Sequence, residues 1–210
     1  YVYGIERKFE SLCRGPAGKM LRDRGGHPLE VGNKKAESNT EEFALYSILT
    51  GGTMGQFQVD KKAEGGGLTV SLRGNIDEDA VLANIGFDGA QQITLDLDKV
   101  TAINSCGIRE WIKWLRGAPG DAKIIYRNCP KIIVDQINMV AGFLPDNAKV
   151  ESFYVPYFNE ESGTEKMILF RRGTEFKDGE FNPPATVKDE TGQAMEMDVI
   201  EAKYFKFIMK

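Results

Sequence analysis

Histidine is almost absent from this chain: there is one, His27, in 210 residues. Ser/His/Asp and Cys/His catalysis would both have to recruit that same side chain, which argues against hydrolytic machinery. Cysteine is scarce as well. Cys13, Cys106 and Cys129 are an odd number, widely spaced, with no C-x-x-C. That usage speaks against a disulfide framework and points to a reducing, cytoplasmic setting. Cys13 and His27 supply two metal ligands, and two ligands do not make a site. No apolar run approaches the length of a bilayer span, so membrane insertion is not expected. A signal-peptide pattern is missing too, although a start at Tyr1 leaves targeting only weakly constrained. The chain lacks G-x-x-x-x-G-K-[ST] for phosphate binding, and its acidic residues are scattered without a metal constellation. A net charge of −4 gives no general reason to expect nucleic acid as a partner. These absences point away from an enzyme and predict neither cofactor nor metal.

What is present centres on one stretch, residues 92–108. Ile93, Leu95 and Leu97 alternate with Thr94 and Asp96, the period of a strand with one buried face. The period then changes. Ile108, Trp111, Ile112 and Leu115 fall at i, i+3, i+4 and i+7, the stripe of an amphipathic helix. Asn104-Ser105-Cys106-Gly107 is the hinge, and Asn or Ser caps the new helix. A strand feeding a capped helix places free N–H groups and the positive end of a helix dipole at the sheet edge.

"LDLDKVTAINSCGI" resembles the signature of STAS domains, the fold of bacterial anti-anti-sigma factors and of sulfate-transporter tails. Those domains read as an apolar strand, a loop, and Asp-Ser-(Ser/Thr)-Gly entering a helix. Leu72-Arg73-Gly74-Asn75-Ile76-Asp77 is similar to their "L-x-G-x-(L/I)-D" strand end. Lys123–Tyr126 and Pro130–Leu144 are similar to the next strand and helix. The resemblance covers residues 56–155, about half the chain. It implies an α/β (α+β) fold, a STAS-like mixed sheet with helices on one face. It also implies a protein partner, bound by the face around the hinge.

Before this body, residues 1–55 read as a basic N-terminal helical extension. Within residues 1–35, Arg7, Lys8, Arg14, Lys19, Arg22, Arg24, Lys34 and Lys35 outnumber Glu6, Glu10, Asp23 and Glu30 two to one. Such an arm is either solvated or docked on an acidic surface. Ser38-Asn39-Thr40-Glu41-Glu42 starts a second helix with capping-box character. Within the body, strands are expected over Gln56–Lys62 and Leu68–Leu72 around a Gly65-Gly66-Gly67 turn. A helix through Val81, Leu82 and Ile85 is expected next. Pro130 leads the last helix, with Ile133, Ile137, Val140 and Leu144 as its stripe.

Residues 156–210 form a β-rich extension that departs from the family. Val150–Phe158 and Thr164–Arg171 read as strands. Asn159-Glu160-Glu161-Ser162-Gly163 and Lys188-Asp189-Glu190-Thr191-Gly192 share one frame, which resembles the paired Cys-x-x-Cys-Gly knuckles of a zinc ribbon. Here the ligand positions are Asn159, Ser162, Lys188 and Thr191, none a thiolate or imidazole. The pair is either a degenerate ribbon held by packing or two ordinary hairpin turns, and no bound zinc is expected from either.

The family's kinase-modified position is the second hydroxyl of its motif. By the resemblance, Asn104 stands in the Asp place, Ser105 in the first Ser place and Cys106 in the phosphoacceptor place. A thiol is no substrate for a serine kinase, so the standard phospho-switch is in doubt. Ser105 remains open as a phosphosite, since a helix N-terminus favours added negative charge, beside its simpler role as a cap. Cys106 is either a reactive thiol of lowered pKa or a small residue packed beneath the helix. Arg109, Lys113 and Arg116 flank the apolar stripe. Trp114 lies off its centre, as an interface hot spot or as a residue covered by the extra chain. The expectation is a non-catalytic adaptor or scaffold in bacterial regulation. It binds another protein through Asn104, Ser105, Cys106, Arg109, Lys113 and Trp114, with a homodimer open. The alternatives are a phosphorylation-controlled partner switch through Ser105 and a sensor of a nucleotide or lipid.

Overall fold

The computed structural model describes residues 55–209. The basic arm with Cys13 and His27, and the helix expected from Ser38, lie outside them. Five strands form the first sheet in the order β1-β2-β3-β4-β5: Gln58–Glu64, Gly67–Ile76, Gln92–Ile103, Lys123–Arg127 and Ala148–Val150. β1 runs antiparallel to β2, and the remaining neighbours are parallel, which makes the sheet mixed as expected. Glu64 pairs with Gly67, so Gly65 and Gly66 alone turn the first hairpin. Both have positive φ, +57° and +81°, which a two-residue type I′ turn requires.

Period-2 patterning becomes rows of buried side chains across the sheet. Leu68, Ile93, Ile124 and Ala148 stand side by side, and so do Val70, Leu95, Tyr126 and Val150. Two helices, α1 (Ser105–Arg116) and α2 (Lys131–Met139), connect the parallel strands and contribute Trp111, Leu115, Ile133 and Ile137 to the same core. Trp111 meets Tyr126 edge-on at 5.7 Å and stacks on Phe143 at 5.2 Å. Its Nε1–H donates to Tyr126 Oη, and that hydroxyl donates to Phe143 O at 2.6 Å. The molecule is thus of the α/β (α+β) class.

The helix expected after Asp77 is reduced to a 3-10 turn, Leu82–Asn84. Asp77 Oδ1 accepts the N–H of Asp79, a side-chain bond that competes with helix formation. Ala80, Leu82, Ile85 and Phe87 are all buried, a spacing that no single helical face presents. The strand expected over 150–158 is also two strands. β5 closes the first sheet, and β6 (Ser152–Asn159) opens a second one, ordered β10-β11-β6-β7. β7 is Thr164–Arg171, as expected, with β10 (Val187–Lys188) and β11 (Ala194–Met197) completing that sheet. β8 (Phe176–Lys177) and β9 (Glu180–Phe181) make a small separate hairpin.

One hydrophobic core runs through both sheets, and β6 straddles the expected 155/156 boundary. Phe153 on β6 meets Phe170, Phe176, Phe205 and Phe207 with ring centroids 5.0–6.0 Å away. The terminal helix α3 (Glu201–Tyr204) is tied to α2 by Asn138, whose amide donates to Tyr204 O and accepts from Phe207 N.

α1 approaches the end of β2 very closely. A Cβ on Gly107 would lie 2.0 Å from the carbonyl oxygen of Ile76. No rotamer relieves that contact, because the clash is with backbone. Gly107→Ala is expected to cost about 3 kcal/mol of stability or more. Equilibrium urea unfolding monitored by far-UV circular dichroism measures it.

Candidate functional site

The corner from β3 into α1 is built from backbone first. Asn104 N donates to Ile76 O at 3.2 Å, joining the ends of β2 and β3. Asn104 then caps α1: its Oδ1 accepts the N–H of Gly107 at 2.9 Å. Ser105 is therefore the first residue of the helix and not its cap, and it is exposed. Cys106 is half-exposed and is not a free thiol, which corrects both readings of it, a cysteine buried beneath the helix and a reactive thiol. The fully buried cysteine is Cys129, whose thiol burial pushes well above its ordinary range.

Asn104 has a second bond that sequence reasoning missed. Its Nδ2 donates to Glu78 Oε2 at 2.7 Å, and that bond holds the Glu78 carboxyl below its usual pKa. One amide thus accepts from the helix and donates to a carboxylate, which an Asp in its place cannot do. The positive end of the α1 dipole already has a carboxylate close to its cap.

The helix is rotated relative to its sequence stripe. Gly107, Trp111, Trp114 and Leu115 are buried, while Ile108 and Ile112 are only half-buried. Because Gly107 faces the sheet, the stripe turns toward Trp114. That tryptophan is 6% exposed, stacks on Phe87 at 5.0 Å and donates from Nε1 to Ile85 O at 2.8 Å. Trp114 is therefore withdrawn as a partner-binding residue. Among the described residues it is covered by the Leu82–Phe87 connector; the N-terminal extension of the alternative lies outside them. Ile108 and Ile112 take its place at the surface. Beside them Glu110 accepts from Arg109 at 3.1 Å and from Lys113 at 3.0 Å. Partial burial works to raise the Glu110 pKa, but the bonds and charges of Lys113 and Arg109 outweigh it and leave the carboxyl lowered. An open groove of about 680 Å³ lies elsewhere, between α2 and residues 197–206.

The two x-x-x-x-Gly turns do meet. Three of the four frame positions, Asn159, Ser162 and Thr191, hydrogen bond to Asp189. Asn159 Nδ2 and Ser162 Oγ donate to its Oδ2 at 2.7 and 3.1 Å. Thr191 Oγ1 donates to Oδ1 at 2.7 Å, joined there by the N–H groups of Thr191 and Gln193. Lys188 is exposed. Asp189 was not singled out from sequence, although an Asp followed by Thr and Gly two and three residues on is a turn signal. The Thr191 hydroxyl above all, with Gln193, Asn159 and Ser162, holds its pKa down to about 2.

No protein-family model matches this chain, and no curated protein does. Among solved structures, an anti-sigma factor antagonist from Mycobacterium paratuberculosis is similar to it over 37% of this chain and 71% of its own. The sequence identity is 14% and the TM-score 0.33. No helix among the described residues is long and apolar enough to cross a membrane.

Two predictions come from this geometry. Asn104→Asp keeps the cap but sets two carboxylates against each other. The Glu78 pKa should then move upward from its lowered value, read by NMR titration of its side-chain carbons. Asp189 is lowered in the folded state, so its contribution is present above the unfolded carboxylate pKa and lost as pH falls through about 2. Asp189→Asn, which points a donor at the Asn159 and Ser162 donors, should remove that contribution at every pH. Hydrogen exchange at 159–164 and 188–193 should rise in this variant at neutral pH and show no further acid dependence from this group.

Proposed function

We propose that the chain is a non-catalytic protein-interaction module of the STAS type, acting as an adaptor or scaffold. Its binding face comprises Asn104, Ser105, Cys106, Arg109 and Lys113, with Ile108 and Ile112 in the place first given to Trp114. The observation that carries this reading is the rotation of α1. It leaves two isoleucines half-exposed next to the Arg109–Glu110–Lys113 charge cluster, apolar surface bordered by charge of the kind that concentrates binding energy. The motif resemblance over residues 56–155 supports the same face.

The constitutive form of the reading is supported by the corner itself. Glu78 already occupies the neighbourhood of the cap, so a phosphate there meets a carboxylate as well as the helix dipole. One observation favours a second reading, a phosphorylation-controlled switch: Ser105 is exposed at the first helical position. Intact-mass analysis of the native protein decides between them.

The face is tested by pull-down from native lysate with wild type and an Ile112→Glu, Lys113→Glu variant, both checked for the same thermal midpoint. A partner retained by wild type and reduced at least about tenfold in the variant is the expected result. Equal retention by both would remove this face from the function.

A further inference from the structure

A strand at the edge of a sheet carries a row of backbone donors and acceptors, and folded proteins guard such rows with charge, proline, bulges or brevity. The described edges of this molecule follow that rule with one exception. β1 carries Asp60, Lys61 and Lys62 at its centre. β5 has three residues and β10 two. β7 has eight; Glu165, Lys166 and Arg171 charge its two ends, and between them the run Met167-Ile168-Leu169-Phe170 contains no charge, proline or bulge.

The outward-facing backbone groups of β7 can be named. β6 presents its even-numbered residues away from β7: Cys129 N donates to Ser152 O, Tyr154 N donates to Cys129 O, and Asp198 N donates to Pro156 O. Their partners across the pair are Arg171, Leu169 and Met167, with Glu165 opposite Phe158. Those four residues therefore turn their N–H and C=O groups outward. The Arg171 N–H is taken by the Glu175 carboxylate at 2.7 Å. The backbone groups of Glu165, Met167 and Leu169 have no hydrogen-bond partner among the described residues.

The side chains of the same residues share one face of the sheet with Phe158. Met167 is 44% exposed and Phe158 36%. Glu165 and Arg171, near the two ends of the strand, are exposed and make no ion pair among the described residues.

We propose that β7 pairs antiparallel with β7 of a second copy of this chain, about a two-fold axis at Ile168. The register follows from the sequence of the edge. With Ile168 opposite itself, Met167 faces the second copy's Leu169 and Glu165 faces its Arg171, and symmetry repeats both pairs. Met167 and Leu169 then exchange backbone hydrogen bonds, apolar side chains meet apolar, and each terminal charge meets its opposite. No two paired strand residues of like charge stand opposite each other, and the backbone ladder stops short of Arg171, whose N–H is held by the Glu175 carboxylate and whose C=O accepts from Thr174 and Glu175 N–H. The contact is closed, since each copy uses the same edge, open among the described residues, and it yields a dimer in place of a fibre. The Phe158–Met167 surface becomes continuous across the axis. This inference is independent of the face on α1.

Light scattering coupled to size exclusion, run on the full chain over a concentration series, provides the test. Wild type is expected at twice the chain mass at the upper concentrations. Met167→Lys, at an exposed position, should be monomeric with unchanged circular dichroism and thermal midpoint. Glu165→Arg and Arg171→Glu each set like charges face to face and should raise the dimer dissociation constant about fivefold or more. The double variant restores opposite charges and should return it to near the wild-type value. A wild-type monomer at every concentration overturns the proposal, as does a dimer indifferent to Met167→Lys. Failure of the double variant to recover overturns the register and the proposal with it.

Discussion

The contact between Gly107 and the carbonyl of Ile76 sets the geometry of everything that follows it. At that point a helix lies against the end of a neighbouring strand with no room for a single carbon atom. The same carbonyl receives the N–H of Asn104, so strand pairing and helix entry share one acceptor. Once Gly107 is fixed against the sheet, the angular position of every later residue of α1 follows from the helical period. Trp111 falls over Tyr126, and Trp114 falls onto the Ile85–Phe87 connector. Ile108 and Ile112 fall at the rim of the core, packed against it and half-buried. The candidate binding face is a geometric consequence of a glycine.

This accounts for what could be read in the sequence and what could not. Alternation along Ile93, Leu95 and Leu97 located the strand and its buried row, because a strand's period is local, but not the burial of Thr94 on the other face. Thr164–Arg171 was legible for the same reason, and so was the capped hinge at Asn104. The burial of Trp114 was not legible. Lys113 and Arg116 lie close to it in sequence, and the segment that covers it lies some thirty residues upstream. The 3-10 turn at Leu82 was misread because Val81, Leu82 and Ile85 fit a helical spacing, while Ala80 and Phe87 at other angles are buried as well. Local period fails where both faces of a segment have something to pack against. Asp189 was not legible because the frame resembling a metal site marks Asn159, Ser162, Lys188 and Thr191 and not the residue that three of them face.

That residue is instructive about the second sheet. Two turns brought together need something to satisfy their polar groups, whether a cation shared by thiolates or an anion shared by donors. Here the centre is a carboxylate, and the positions around it carry hydroxyls and an amide. The inversion is chemically consistent throughout: the residues that converge are donors because the group they converge upon is an acceptor. Such a centre is held by side chains together with the Thr191 and Gln193 N–H groups, and bonds of Gln193 to Asn159 and Glu161 add to the tie between hairpins.

The same logic of donor and acceptor applies at Asn104. An Asp in this place would cap the helix equally well, since a carboxylate oxygen accepts the Gly107 N–H as readily as an amide oxygen does. What an Asp cannot do is donate to Glu78. The amide at residue 104 and the carboxylate of Glu78 are thus parts of one arrangement. A corner designed to respond to phosphate needs unspent positive potential at its helix terminus. Here the Glu78 carboxylate, held by the Asn104 amide, already lies beside that terminus.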